Sequence, residues 1–314
     1  MDTTLVVVAP KDTSPQLSAA AIRLSGVTRS FGAKTAVADL NLEVPRGSFF
    51  GICGPNGAGK TTTLRMVTGL LRPSSGRVLV AGADVWADPT AAKRRYGFVP
   101  DQPTLFDRLN ATELLQFTGA LRGMDPTVVA RRSEELLAAL TLQDEPRTLI
   151  ADYSLGMTKK IALAVAVLHN PEVLILDEPF GSLDPVNTGV LVELLRRHRR
   201  GGGTVVFSSH VMEVVERLCD EVVIMHNGRV IAHGPVDEVR GGQPLQDAFI
   251  ALGDHEKFGH LFWHLGIQDQ AADVVQQTCY KQPFRMQDAT LLGQITCNQS
   301  GEDAMAPEGV DVDQ

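Results

Sequence analysis

Gly54-Pro55-Asn56-Gly57-Ala58-Gly59-Lys60-Thr61 constrains this chain more than any other stretch, because its pattern requires a strand before it and a helix after it. Both are legible. Phe49-Phe50-Gly51-Ile52-Cys53 is an apolar run that reads as a strand, and Thr62-Thr63-Leu64-Arg65-Met66-Val67 reads as a helix. The glycines let the backbone curl until its N–H groups converge on an anion. The N-terminus of the following helix adds a positive field. In such a loop Lys60 reaches the β- and γ-phosphates, and the Thr61 hydroxyl ligates Mg²⁺. Positions Gly54 to Thr62 are therefore expected to hold a nucleoside triphosphate, rather than to form a plain turn.

The remainder predicts the sheet around that loop. Val78-Leu79-Val80, Gly97-Phe98-Val99, Val173-Leu174-Ile175-Leu176 and Thr204-Val205-Val206-Phe207 are short apolar runs of the kind buried parallel strands adopt. A helix is expected from about Pro185 to Arg199, closed by Gly201-Gly202-Gly203. Glu221 to Met225, then Asn227-Gly228, then Val230-Ile231 predicts a hairpin. Ile22 to Val44 suggests short strands with a turn around Ser30 to Ala33. From about Asp101 to Leu142 the spacing turns helical, with Asp125-Pro126 as a cap and first-turn pair. The expected fold class is α/β: a parallel core, an antiparallel β subdomain and a helical subdomain.

Composition narrows the partners. Across 314 residues, 29 Lys and Arg against 37 Asp and Glu leave a net charge of −8, which argues against nucleic acid. The basic clusters Lys93-Arg94-Arg95 and Arg196 to Arg200 lack interleaved aromatics and read as solvated helix faces. Cys53, Cys219, Cys279 and Cys297 match no metal or disulfide spacing, and Cys53 reads as a reduced core residue. The N-terminus lacks a signal-peptide pattern. No apolar run approaches the roughly 20 residues that span a bilayer. The expected location is therefore cytoplasmic, unless a partner brings the chain to a membrane.

Three parts are expected: a flexible stretch at 1–20, a nucleotide-binding domain at 21–252 with its helical subdomain at about 101–160, and a C-terminal extension at 253–314. That extension carries a patch of Phe258, His260, Phe262, Trp263 and His264. It reads as a small docking helix or a tail rather than a metal site, and residues 302–314 read as disordered.

Two further patterns complete the chemistry. Leu174-Ile175-Leu176-Asp177-Glu178 is an apolar strand ending in two acids. A carboxylate at a strand end can project toward Mg²⁺ at the phosphate loop, which assigns Asp177 to the metal. Glu178 is left to face the attacking water as general base. Tyr153-Ser154-Leu155-Gly156-Met157 precedes the apolar helix Ile161 to Leu168 and places a hydroxyl and a glycine at a helix start, again suited to a phosphate.

With these residues the chain resembles the ATP-binding cassette family, whose signature is Leu-Ser-Gly-Gly-Gln, over about residues 21–252. Other landmarks follow in order. Phe31 stands where an aromatic stacks on adenine, Ser182-Leu183-Asp184 looks like the D-loop, and His210 after Ser208-Ser209 looks like the switch histidine that contacts the γ-phosphate. Two departures stand out. Leu155 and Met157 replace Gly and Gln in the signature, while Ser154 and Gly156 are kept. Asp101 occupies the Q-loop position with Gln102 one place later; an Asp can hold a Mg²⁺-bound water but cannot donate as glutamine does. Both departures resemble the branch of two-component drug exporters.

The resemblance implies a P-loop NTPase fold and an ATPase using ATP and Mg²⁺. It implies a second cassette subunit, expected to be an identical copy, with each ATP lying between Lys60 of one and Ser154 of the other. It also implies integral-membrane permease subunits docking near Leu105 and Phe106, with the chain held at the inner face of the membrane. Export of drugs or other small lipophilic compounds follows from the branch. Two other readings remain in view. A soluble cassette protein that remodels a ribosome or nucleoprotein complex would carry two cassettes or a coiled-coil insert. A small-molecule kinase would leave Ser154 to Gly156 and His210 without a role.

Overall fold

The computed structural model of the protein describes residues 20–144, 147–181 and 183–252. Residues 1–19 of the expected flexible stretch at 1–20, the extension from 253 with its aromatic and histidine patch, Cys279, Cys297 and Ser182 lie outside the described residues.

Five of the expected apolar runs line up as one sheet. β3 (Phe49–Cys53), β6 (Tyr96–Val99), β7 (Val173–Leu176), β8 (Thr204–Ser209) and β9 (Glu221–His226) run parallel in the order β9-β3-β8-β7-β6. β10 (Arg229–Pro235) pairs antiparallel on the β9 edge. These strands are apolar at nearly every position because both faces are covered. Successive side chains point to opposite sides, so the sheet feeds two cores. Phe49, Leu174, Leu176, Val205 and Phe207 enter one, and Phe50, Ile52, Val173, Ile175 and Val206 enter the other.

The second core lies beneath an antiparallel sheet in the order β2-β1-β4-β5: β1 (Ile22–Phe31), β2 (Lys34–Val44), β4 (Ser75–Val80) and β5 (Ala83–Asp84). Residues 22–44 form two long strands rather than several short ones. Register shifts between Leu24 and Val27, Val27 and Arg29, and Arg29 and Ser30 interrupt the alternation, so one irregular ribbon reads as fragments. α1 (Lys60–Val67) contributes Leu64, Met66 and Val67 to the same core.

The first core is closed by α3 (Ala111–Leu121), α4 (Pro126–Ala139), α5 (Leu155–Val167) and α6 (Pro185–Arg200), with α7 (Met212–Leu218) following β8. The helical pattern begins later than its expected start at Asp101. Residues 101–109 form a loop, and α3 starts only after Asn110, whose side chain accepts from the Glu113 N–H while Glu113 accepts from the Asn110 N–H. α4 starts as expected: Asp125 accepts from the Thr127 and Val128 N–H groups, and Pro126 occupies the first turn. The basic clusters end α2 (Pro89–Arg95) and α6, where cations complement the negative pole of a helix.

Strand order then determines what meets. Cys53 pairs with Ser209 and Leu176 with Phe207, so the carboxyl ends of β3, β7 and β8 lie along one edge. That edge is where ligands bind in open parallel sheets.

Candidate nucleotide site

The phosphate loop leaves β3 at Gly54 and enters α1 at Lys60. Gly54 has φ +148°, and a Cβ there would lie 2.2 Å from the Met225 carbonyl oxygen, so no other residue fits. Gly59 has φ +105°, with the Ala36 carbonyl 2.7 Å from where a Cβ would stand. The loop is also braced from the β9–β10 hairpin. Asn227 and Gly228 both have positive φ, 48° and 77°, the signature of a primed turn. From that turn the Gly228 N–H donates to the Ala58 carbonyl at 3.0 Å. Pro55 and Thr62 are half-buried, Ala58 is buried, and Asn56 and Gly57 are exposed at the crown.

Lys60 lies within this curl, buried, with Nζ donating to the Gly54 carbonyl at 2.8 Å and the Pro55 carbonyl at 3.3 Å. The same ammonium lies 3.4 Å from Oε1 of Glu178. The other oxygen of that carboxylate, Oε2, lies 2.9 Å from Nδ1 of His210. Thr61 Oγ1 donates to Asp177 Oδ1 at 3.1 Å, and the Asp177 backbone N–H donates to Val99 O at 2.9 Å. Thus Lys60, Thr61, Asp177, Glu178 and His210, spread over 151 positions of sequence numbering, form one connected cluster at the sheet edge.

Two residues without an expected role hold that cluster. Ser208 is fully buried; its hydroxyl donates to Asp177 Oδ1 at 2.6 Å and accepts from the Glu178 N–H at 2.9 Å. Lys159 is also buried, and donates to the carbonyls of Glu178 at 3.2 Å and Gly181 at 2.8 Å. The position of Ser208 one strand-end residue before Ser209-His210 was the available signal for the first. Lys159 lies in α5 between Thr158 and Lys160, and nothing local marks its partners.

The remaining expected residues stand apart from the cluster. Ser154 caps α5, its Oγ accepting from the Met157 N–H at 3.3 Å, and is exposed beside Leu155. Gly156 faces Asn187, whose Nδ2 would lie 3.0 Å from a Cβ at that position. Asp184 caps α6 by accepting from the Val186 and Asn187 N–H groups. The Asn187 backbone bond, followed by its side-chain amide, holds the Asp184 carboxyl below the usual range. Phe31 ends β1 half-exposed, with the Arg29 guanidinium 4.6 Å from its ring centroid. Asp101 lies 3.8 Å from Lys159 Nζ, and among the described residues no hydrogen bond or ion pair joins it to Thr61 or Asp177. Nor does any such contact join Ser154, Gly156 or Asp184 to Lys60, Glu178 or His210.

Among the described residues no group of three or more His, Cys, Asp or Glu could hold a metal. The Thr61 hydroxyl and Asp177 carboxylate, sharing a hydrogen bond, are the hard oxygen pair that suits Mg²⁺, which takes one or two protein ligands and fills its octahedron with water and phosphate. Cys53 is a free, fully buried thiol whose ionisation burial pushes far up, in keeping with an inert core residue.

Fold and site together define a P-loop ATPase built as an ATP-binding cassette. Residues 37–181 match the family described as ABC transporter. The chain is 36% identical over 231 residues to the ABC transporter ATP-binding protein NatA of Bacillus subtilis, covering 72% of this chain and 94% of that protein. It is 36% identical to the daunorubicin resistance ATP-binding protein DrrA3 of Streptomyces coeruleorubidus over 220 residues, 70% of each. A solved dimeric ATP-binding cassette in a post-hydrolysis state with ADP and Pi superposes with a TM-score of 0.63 at 25% identity, over 68% of this chain and 98% of that one. The chain belongs to the ATP-binding subunits of ABC transporters. It binds ATP and is an ATPase, and among its described residues no helix is long and apolar enough to cross a membrane.

Proposed function

We propose that this chain pairs head to tail with a second copy, closing each ATP between the Lys60 side of one subunit and the Ser154–Gly156 helix start of the other, and that the pair drives a membrane permease in export. The observation that carries this is the division of the site. Lys60, Thr61, Asp177, Glu178 and His210 form one hydrogen-bonded cluster, whereas the signature start of α5 is exposed and makes no contact with it. An anion-binding helix start remote from its own phosphate loop has a use if another subunit supplies the phosphate. The ADP- and Pi-bound cassette that superposes here is itself dimeric.

In this reading the loop N–H groups and Lys60 bind the phosphates, Phe31 stacks on the base, and Ser154, Gly156 and the D-loop with Asp184 reach across the interface. Thr61 and Asp177 would hold Mg²⁺, with Asp101 at its water shell, and the ion would neutralise charge building on the phosphates. Glu178, aimed by Lys60 and His210, takes the proton of the attacking water, and His210 steadies the γ-phosphate. The cassette occupies residues 21–252, with its helical subdomain at about 101–160, between flanking segments at 1–20 and 253–314.

The permease is placed against the loop at 101–109 and α3. Phe106, Phe117 and Leu121 are exposed there, and Phe106 and Phe117 stack edge to face with centroids 5.1 Å apart. Exposed aromatics clustered in this way mark protein contacts. The chain would thereby sit at the inner face of the membrane. The part of DrrA3 in daunorubicin resistance favours a drug or other small lipophilic compound as cargo, and the transporter relatives weigh against the ribosome-remodelling reading.

Glu178→Gln tests the core of this scheme. It should abolish steady-state hydrolysis while ATP still produces a dimer on size exclusion. Near-normal turnover would remove Glu178 as the base, and a monomer at saturating ATP would remove the shared site.

A further inference from the structure

Glu178 is held in a conformation that its own sequence opposes. Its φ is +46°, the left-handed region that non-glycine residues avoid, and Pro179 follows it. Strain of that kind persists only where the surroundings over-determine it. Ser208 takes the Glu178 N–H on one side. On the other, the Glu178 carbonyl accepts the Gly181 N–H at 3.2 Å and the Lys159 ammonium at 3.2 Å.

Lys159 is placed to do more than fill a gap. It lies on the second turn of α5, the helix whose first turn carries Ser154 and Gly156. The crevice around it is lined by Val99, Pro100, Leu163, Leu176, Pro179 and Leu191, so its ammonium is delivered through an apolar wall. Only 7% of its side chain is exposed, and burial depresses its ionisation while Asp101 and Glu178 partly restore it. An ammonium has three donors. Two go to the carbonyls at either end of the 178–181 turn, and the Asp101 carboxylate lies 3.8 Å away as an ion-pair partner. An ammonium buried at this cost must be matched by its partners. Those partners are the turn that aims the base and the loop residue that, in this chain, is an aspartate instead of glutamine.

We propose that Lys159 is a positioning residue for ATP hydrolysis, tying the signature helix to the left-handed turn that aims Glu178 and to Asp101, so that the base is aligned only while α5 is in register with that turn. This rests on the reading of Glu178 as the base. Asp101, half-exposed itself, thereby acts on the site through its ion pair with a buried lysine rather than through the metal shell alone. Lys159 is engaged by the Glu178 and Gly181 carbonyls and by Asp101, so its loss should be felt in turnover rather than in binding.

The test uses the full-length chain, with kcat and KM for ATP, the ATP dissociation constant and binding stoichiometry from calorimetry, and Glu178→Gln alongside. Lys159→Met should lower kcat at least about tenfold with the dissociation constant within about twofold and stoichiometry unchanged. Lys159→Arg, which keeps charge and stem, should recover part of that rate and serves as the folding control. Asp101→Asn should have a smaller effect, and the double variant Asp101→Asn/Lys159→Met should be no slower than Lys159→Met alone, because both remove one shared interaction. A Lys159→Met enzyme with wild-type kcat, beside an inactive Glu178→Gln, overturns the proposal and leaves the base assignment standing. An active Glu178→Gln overturns the base assignment itself. Loss of ATP-binding stoichiometry in proportion to kcat for both Lys159 variants overturns the positioning role of Lys159, since that is what a purely structural lysine would give.

Discussion

Replacing Ser208 by alanine removes one hydroxyl but breaks two bonds that converge on neighbouring residues of the site. Its Oγ donates to Asp177 Oδ1 at 2.6 Å and accepts from the Glu178 N–H at 2.9 Å, with the side chain fully buried. A hydrogen bond to a charged group contributes about 1.5–3 kcal/mol, and leaving a buried N–H without an acceptor costs about 1–3 kcal/mol. Asp177 keeps the Thr61 hydroxyl at 3.1 Å and the cluster can relax a little, which places the sum near the lower ends, at about 3 kcal/mol. In a domain of this size each kcal/mol lowers the melting temperature by about 2–4 °C, so Ser208→Ala should melt about 6–12 °C below the parent. Circular dichroism melts of the apo chain measure this directly. The same variant, assayed well below its melting point, should hydrolyse ATP more slowly, because the Glu178 backbone has lost the anchor on its N–H. A melting point within about 2 °C of the parent would refute the reasoning: the hydroxyl would then be replaceable by relaxation or water, and Ser208 would not be an anchor.

Other outcomes follow from the same geometry. Lys60→Ala and Ser154→Ala should each be nearly inactive, yet an equal mixture should recover about a quarter of the parent ATPase, because half the dimers then carry one intact composite site out of two; a mixture no more active than either variant excludes head-to-tail sharing. His169 gives a pH signature. Burial first, then the Arg122 and Arg132 charges, lower its ionisation to about 4, against the hydrogen bond from Nε2 to the Tyr96 carbonyl, while Nδ1 is buried without a partner. Because the folded value is depressed, stability from this site is complete above the unfolded value of about 6.5 and is lost as pH falls toward about 4. His169→Gln should therefore flatten the melting temperature between those pH values relative to the parent, and parallel curves would remove His169 as a contributor.

Much of this molecule is legible because its local chemistry is restrictive. The phosphate loop needs glycine at Gly54 and Gly59, where φ is +148° and +105° and a backbone carbonyl occupies the space of a Cβ. Asp125-Pro126 and Asn227-Gly228 announce a helix start and a primed turn through properties of two residues each, and both occur where expected. Apolar runs such as Val173–Leu176 and Thr204–Ser209 read as buried strands because no alternation is needed when both faces are covered. The long β1–β2 ribbon was less legible, since its bulges break the period on which such a reading depends. The start of α3 was also misplaced, because a capping box at Asn110, not hydrophobic spacing, decides it.

By itself, then, the sequence determined the phosphate loop, the acids after β7 and the helix start at Ser154, all features in which a few neighbouring residues suffice. Only the tertiary structure decided that Ser208 bridges Asp177 and Glu178, and that Lys159 reaches across from α5 to the turn at Glu178 and to Asp101. Those contacts depend on which strand ends lie side by side. That order comes from burying two cores on the two faces of one sheet, and no short stretch of chain encodes it.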